Sequence, residues 1–189
     1  MRRLIVAITG ASGALYGIRA LQMLREAGGI ETHLILSSSG ARTIIEETEH
    51  SPAEVREMAD VVHGYRDIGA SVSSGSFVTS GMLVAPCSVK TLSGIAHCYD
   101  SELTVRAADV CLKERRPVVL LFRETPLHAG HIALMEQATR NGAILMPPVP
   151  AFYFKPRTVE EIVDQTVARA LSLFSIEIRS MHRWKESAE

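Results

Sequence analysis

Residues 7–17 read AITGASGALYG, an aliphatic run that enters a glycine-bracketed turn and leaves it as a helix. No other stretch limits the possible folds so tightly. Arg2 to Ile8 is short and rich in aliphatic residues, which predicts a strand over about 2–8. Gly10 and Gly13 allow a tight turn and a close approach of backbone to a ligand. Beyond them Leu15, Ile18, Leu21 and Leu24 recur at helical spacing, with Arg19, Gln22, Arg25 and Glu26 on the other side. That pattern predicts an amphipathic helix over about 13–27. Its first N–H groups and positive dipole end point at the space above Gly10–Gly13, so an anion is expected there, a phosphate first of all.

The glycine spacing narrows the choice of phosphate compound. Gly10, Gly13 and Gly17 give G-x-x-G-x-x-x-G, not the dinucleotide G-x-G-x-x-G, and no Gly-Lys-Ser/Thr follows to make a Walker loop. A nicotinamide site of the usual kind needs a carboxylate at the end of the second strand to hold a ribose. The second strand, about 31–37, runs instead into Ser37-Ser38-Ser39-Gly40. Hydroxyls suit a phosphate or a ribityl chain, so FMN fits better than NAD. Taken alone, the turn is equally compatible with tight packing.

Strands and helices alternate along the rest of the chain. Helices are expected at about 40–48 and, from the capping box Ser51-Pro52-Ala53-Glu54, to about Asp60. Residues 61–80 are weakly patterned and rich in Gly and Ser, and read as a loop. A third strand, Met82–Ala85, is stopped by Pro86 and followed by helices from Ser88 and over about 101–115. Pro117–Phe122 is a continuous apolar run, as in a buried parallel strand. A helix over about 128–140 ends at Asn141-Gly142, a fifth strand is Ala143–Met146, and Thr158 and Glu161 cap a helix to about Phe174. This order implies a single α/β domain over 1–189, a parallel sheet with helices on both faces, with 175–189 as a tail.

Composition excludes several functions. With 189 residues, 47% hydrophobic and 22% charged, the chain is globular, and a net charge of −1 leaves no footprint for nucleic acid or an anionic membrane. No stretch approaches the roughly 20 apolar residues of a membrane span. Cys87, Cys98 and Cys111 cannot all pair and lack metal spacing, which points to a reducing cytoplasm. His128 and His131 are one helical turn apart, but none of the seven histidines completes a zinc pattern.

Ligands in such sheets bind beyond the carboxyl ends of the strands. Those ends supply Thr9 to Ser12, Ser37, Pro86 to Thr91, Arg123-Glu124, and a proline-rich loop leading to Tyr153. Hydroxyls, cations and a carboxylate are therefore expected on one rim. Each also has a plain reading. Ser37 and Ser88 can be helix caps. Arg123 and Glu124 can be a structural ion pair. Glu47 sits in a charge run with Glu46 and Glu49. Arg106 and Lys113 share a helix side with Asp109 and can be a solvated face, as can Arg169. Tyr153 and Trp184 can be interface aromatics, and Cys87 is a small buried thiol.

TGASGALYG, SGSF (Ser74–Phe77), PCSVKTLSGIA (Pro86–Ala96), RAADVCLKERRPVVLLFRETPL (Arg106–Leu127) and PPVPAFY (Pro147–Tyr153) together resemble the UbiX-type flavin prenyltransferases. The resemblance spans nearly the whole chain. It implies a flavodoxin-like, Rossmann-like fold in a dodecamer. It also implies transfer of a dimethylallyl group from dimethylallyl monophosphate to reduced FMN, bridging flavin N5 and C6, without a metal. The product would serve a UbiD-type decarboxylase, often in ubiquinone synthesis. Gly10, Ala11, Ser12, Ser37, Ser88, Val89, Lys90, Thr91 and Arg123 match FMN-binding positions. Arg106, Lys113, Arg123, Tyr153, Arg169 and Trp184 match positions around dimethylallyl phosphate. Glu124, Ser12 and Glu47 match catalytic positions, with Glu124 managing protons. Without a metal, Lys and Arg hold the leaving group's charge. The chain departs from the family at Ser38-Ser39-Gly40, where many relatives carry a lysine and alanines.

Three rivals make different demands. A flavin-dependent cysteine decarboxylase resembles its relatives in an Ala-Ser-Ala-Asn-Thr loop, whereas Cys87 to Thr91 read CSVKT. A short-chain NAD(P) reductase needs a Tyr-x-x-x-Lys pair that is missing. A non-enzymatic FMN carrier has no use for a second phosphate pocket.

Overall fold

The computed structural model describes residues 1–185. Six strands form one sheet: β1 (Arg2–Ile8), β2 (Ile30–Leu36), β3 (Val61–His63), β4 (Met82–Cys87), β5 (Val118–Phe122) and β6 (Ile144–Leu145). All pairings are parallel and the order is β3-β2-β1-β4-β5-β6. The connections are α1 (Ala14–Ala27), α2 (Ser38–Glu47), α3 (Pro52–Glu57), α4 (Val89–His97), α5 (Leu103–Lys113) and α6 (Ala129–Arg140), and α7 (Val159–Ser172) follows β6. The winding reverses between β1 and β4, which opens a crevice at their carboxyl ends.

β1 shows how the sheet is buried on both sides. Its residues alternate across the sheet. Leu4, Val6 and Ile8 pack with Ile18 and Leu21 of α1 and Val167 and Leu171 of α7. Ile5 and Ala7 face the other way, toward Leu92 of α4 and Ala107 and Cys111 of α5. All five β1 side chains are fully buried.

Two elements differ from the sequence reading. β3 lies inside the stretch read as a loop, where it extends the edge beside β2 over His33↔Val61 to Ile35↔His63. Three residues are too few for alternation to show. The third predicted strand runs through Pro86 to Cys87, and the β4–β5 register shifts between Val84 and Cys87. A proline has no N–H to give a ladder, so pairing is interrupted there rather than ended.

The described part of the tail packs on its own chain. The His182 N–H donates to Gln165 Oε1 at 2.9 Å, and its carbonyl accepts from Tyr153 Oη at 2.8 Å. Trp184 meets the Tyr153 ring edge-on at 5.6 Å. Residues 186–189, the end of the predicted tail, lie outside the described residues.

Candidate functional site

The switch point is built by a threonine. The Thr9 hydroxyl donates to the Pro86 carbonyl at 2.7 Å and accepts from the Ser88 N–H at 2.9 Å. This ties the end of β1 to the end of β4 and fixes the two loops against each other. Next to it the Gly10 backbone presses on α2. A Cβ at Gly10 would lie 2.3 Å from Ser39 Cβ, so only glycine lets the first loop and the α2 N-terminus approach this closely. Gly13 takes φ +101°, a left-handed value that a side chain would strain.

A cavity of about 430 Å³ opens there, within the roughly 300–1,000 Å³ of small-molecule sites. Its walls come from the ends of five strands: Thr9 to Ser12 after β1, Ser37 to Ser39 after β2, Tyr65 after β3, Ser88 to Thr91 after β4, and Arg123 and Glu124 after β5. All nine residues matched to FMN binding line it, as do Ser12 and Glu124 of the catalytic set.

The caps and the lining coincide. Ser37 Oγ accepts from the Gly40 N–H at 3.0 Å and Ser88 Oγ accepts from the Thr91 N–H at 3.3 Å. Each serine thus starts a helix at the cavity wall, so the cap read from sequence is present and the same residue also lines the cavity. Arg123 and Glu124 do not form an ion pair. Glu124 Oε1 accepts from the Thr125 N–H at 2.9 Å, and its Oε2 has no hydrogen bond among the described residues. The Arg123 guanidinium likewise has none. Beside it, burial pushes the Tyr16 hydroxyl above its ordinary pKa, and Arg123 partly opposes the shift. Cys87 is fully buried, and its thiol is pushed far above the ordinary range by that burial, which removes it as a nucleophile.

One expectation is corrected. The first N–H groups of α1 are not free for an external anion. Glu47 Oε2 accepts from the Gly13 N–H at 2.7 Å and from the Ala14 N–H at 3.1 Å. The carboxylate at the end of α2 closes the positive end of α1, and Glu47 does not line the cavity.

Five of the six positions matched to dimethylallyl phosphate also lie outside the cavity walls of the single chain; Arg123 alone lies on them. Arg106 pairs with Asp100 and Asp109, both at 3.1 Å. Lys113 pairs with Glu114 next to Gly75. Arg169 donates to Ser172 Oγ at 2.9 Å on the outside of α7. Tyr153 and Trp184 sit with the tail. The predicted rim therefore lacks the proline-rich loop.

The sequence reading missed Tyr65 and Glu102 as lining residues. Tyr65 follows β3, so the same strand-end rule finds it once β3 is known. Glu102 is the N-cap of α5, and an unusual residue type at a cap was the available signal. Among the described residues no group of three His, Cys, Asp or Glu could hold a metal, and no helix is long and apolar enough to cross a membrane.

A doubly wound parallel sheet with a hydroxyl-lined cavity at its switch point is the architecture of a flavoprotein, and the family model described as Flavoprotein matches residues 1–171. Similarity to characterised proteins narrows this. Flavin prenyltransferase UbiX of Escherichia coli K12 is 58% identical over 176 residues, 93% of each chain. The crystal structure of AnUbiX (PadA1) in complex with FMN and dimethylallyl pyrophosphate superposes with a TM-score of 0.96 at 48% identity, covering 99% of each chain. A dodecameric FMN-dependent UbiX-like decarboxylase from Escherichia coli O157:H7 superposes with a TM-score of 0.95 at 47% identity, over 97% of this chain and all of that one. The chain belongs to the flavin prenyltransferase UbiX family. The cysteine decarboxylase TvaF, at 15% identity and a TM-score of 0.67, shares the fold alone.

Proposed function

We propose that this chain transfers a dimethylallyl group from dimethylallyl monophosphate to reduced FMN, releasing phosphate, and supplies prenylated FMN to a UbiD-type decarboxylase. The observation that carries the reading is Arg123 beside Glu124 on the wall of the cavity, neither of them in an ion pair among the described residues. The cavity fits FMN in chemistry as well as size: a cradle that Gly10 keeps open, serine hydroxyls on two sides, and a free guanidinium. Gly10, Ala11, Ser12, Ser37, Arg123 and Ser88 to Thr91 would hold it.

When bound, reduced FMN supplies the electron-rich ring that attacks the allyl group. Transfer breaks the allylic C–O bond, the phosphate leaves with the electron pair, and a ring proton must go to a base. Arg123 presents fixed N–H donors to the phosphate oxygens as charge builds on them. Thr125 holds one oxygen of Glu124, leaving Oε2 to take the proton. In this reading cationic side chains hold the leaving phosphate in place of a metal ion.

Lys113, Arg106, Tyr153, Arg169 and Trp184 complete the second phosphate pocket when copies of the chain assemble. The dodecameric relative supports this, as do exposed Val149, Phe152 and Trp184, each at least two-thirds accessible. Three free cysteines support a cytoplasmic location.

Anaerobic incubation with reduced FMN and dimethylallyl monophosphate, followed by mass spectrometry of the flavin, tests the proposal. A flavin heavier by one C5H8 unit is expected, formed about 10²- to 10⁴-fold more slowly by Glu124→Gln. Bound but unmodified FMN would refute the activity.

A further inference from the structure

The wall of the cavity contains a buried carboxylate that no other reading uses. Glu102 is 5% exposed. Its Oε2 accepts from Lys90 Nζ at 3.0 Å. Both residues also line a second cavity of about 490 Å³ on the far side, so the ion pair is the partition between the two spaces.

Three features argue that the pair serves the flavin cavity. Lys90 lies in the first turn of α4, after the cap Ser88, where a cation faces the positive end of the helix dipole. A nearby anion has to offset it. Glu102 occupies the N-cap position of α5, yet its side chain makes no capping bond and reaches across to Lys90 instead. And the burial is one-sided: the lysine side chain is 73% exposed, while the carboxylate is 6% exposed. A buried carboxylate is costly unless its charge is matched. The Leu103 N–H, next in the chain, donates to the Tyr65 carbonyl at 3.0 Å, which fixes the position of Glu102 relative to another wall residue. The hydrogen bond from Glu102, and then its opposite charge, hold Lys90 above its ordinary pKa.

We propose that Glu102 is a positioning residue that fixes the Lys90 ammonium on the wall of the flavin cavity, and that this neutral pair sets how strongly reduced FMN is favoured over oxidised FMN. The proposal rests on the flavin reading above. Reduction of FMN leaves a ring that loses a proton near neutral pH and becomes anionic, so charges on the wall are felt differently by the two states. With both residues present the pair adds no net charge to the wall. Glu102→Gln leaves the Lys90 charge unmatched, which favours the reduced anion. Lys90→Met leaves a lone buried carboxylate, which disfavours it. A merely structural pair would weaken the fold in both variants and leave this preference alone.

The experiment measures oxidised-FMN affinity by fluorescence quenching, and the midpoint potential of bound FMN by dye equilibration, in four proteins. Glu102→Gln should raise the ratio of reduced to oxidised affinity about tenfold, a shift of about 30 mV for a two-electron couple. Lys90→Met should lower it by a similar factor, and the double variant should return to within about twofold of the parent. Two single variants that leave the potential unmoved, or shift it in one direction, overturn the proposal. If Glu102→Gln does not fold, Lys90→Met decides alone: an unmoved or raised potential overturns the proposal. An unaltered chain that fails to quench FMN refutes the flavin reading itself, and does so before any potential is measured.

Discussion

Gly10→Ala is the sharpest probe of how the cavity is built. The new Cβ would sit 2.3 Å from Ser39 Cβ, 3.3 Å from its Oγ and 3.4 Å from its carbonyl carbon. Ordinary carbon contacts lie at about 3.5–4.0 Å, so the two loops must part by more than about 1 Å. Ser39 cannot yield by rotation, because a Cβ is fixed to its backbone. The backbone there is anchored too: the Ser37 N–H donates to the Ile8 carbonyl at 3.1 Å, and Gly40 packs directly on that carbonyl. Overpacking of this kind costs about 1–3 kcal/mol. For a chain of this length each kcal/mol lowers Tm by about 2–4 °C, so a drop of about 2–12 °C is expected by calorimetry. Moving Ser38 and Ser39 by 1 Å also spoils the cavity wall, and FMN affinity should fall at least about tenfold in a quenching titration. Ser39→Gly in the same chain removes the clashing atom, at about 0.5–1 kcal/mol for a helical glycine, and should restore part of both losses. Gly10→Ala with Tm within about 1 °C of the parent and FMN affinity within about twofold would refute the reasoning.

Other perturbations test separate parts of the structure. Glu47→Gln keeps an acceptor for the Gly13 and Ala14 N–H groups but loses the charge, and should lower Tm by no more than about 4 °C; Glu47→Ala should lower it further, and equal melting curves for all three proteins would contradict the cap. Burial holds His63 below its ordinary pKa of 6.5, with His33 adding to the shift and Asp67 opposing it. The fold thus favours neutral His63, a stability present above pH 6.5 and lost as pH falls through the depressed value; His63→Gln should flatten the decline of Tm between about pH 7 and pH 5. Lys113 is held only by an exposed partner, 48% and 36% accessible, in a surface pair worth about 0–1 kcal/mol at most. Arg106 has two carboxylates to leave. Steady-state kinetics should therefore show a larger rise in KM for dimethylallyl monophosphate from Lys113→Met than from Arg106→Met, and the reverse order would count against the proposed pocket.

Much of the architecture was legible because strong local signals agree with the global fold. The aliphatic runs of β1 and β5 have no alternative as exposed elements, and the capping serines mark where α2 and α4 begin. β3 was hidden because three residues at a sheet edge carry no period. Pro86 misplaced the end of β4, since a proline interrupts pairing without stopping the chain from running on as a strand. Most of the lining of the cavity followed from one rule, that ligands lie beyond strand ends; Glu102, at the start of α5, did not. The positions of Arg106, Lys113 and Arg169 did not, because helical spacing fixes the side of a helix and not what faces it.

The role of Glu47 was illegible for a related reason, and it changes where a phosphate can sit. The glycine turn made the N-terminus of α1 the obvious anion seat. Spacing alone could not show that α2 returns its own carboxylate to that seat. With α1 closed, the donors left on the cavity wall among the described residues include the Ser38 and Ser39 N–H groups and hydroxyls, the Ser12 hydroxyl, the first N–H groups of α4, and Arg123. The resemblance implies a lysine and alanines at these positions, so an anion there would meet neutral hydroxyls and a helix end instead. An anion bound by such groups depends less on ionic strength than one bound by a lysine, because dipoles that touch the ligand are screened less than an exposed charge. FMN affinity in this chain is therefore expected to change little across a salt series in a quenching titration, and a steep fall would contradict the argument.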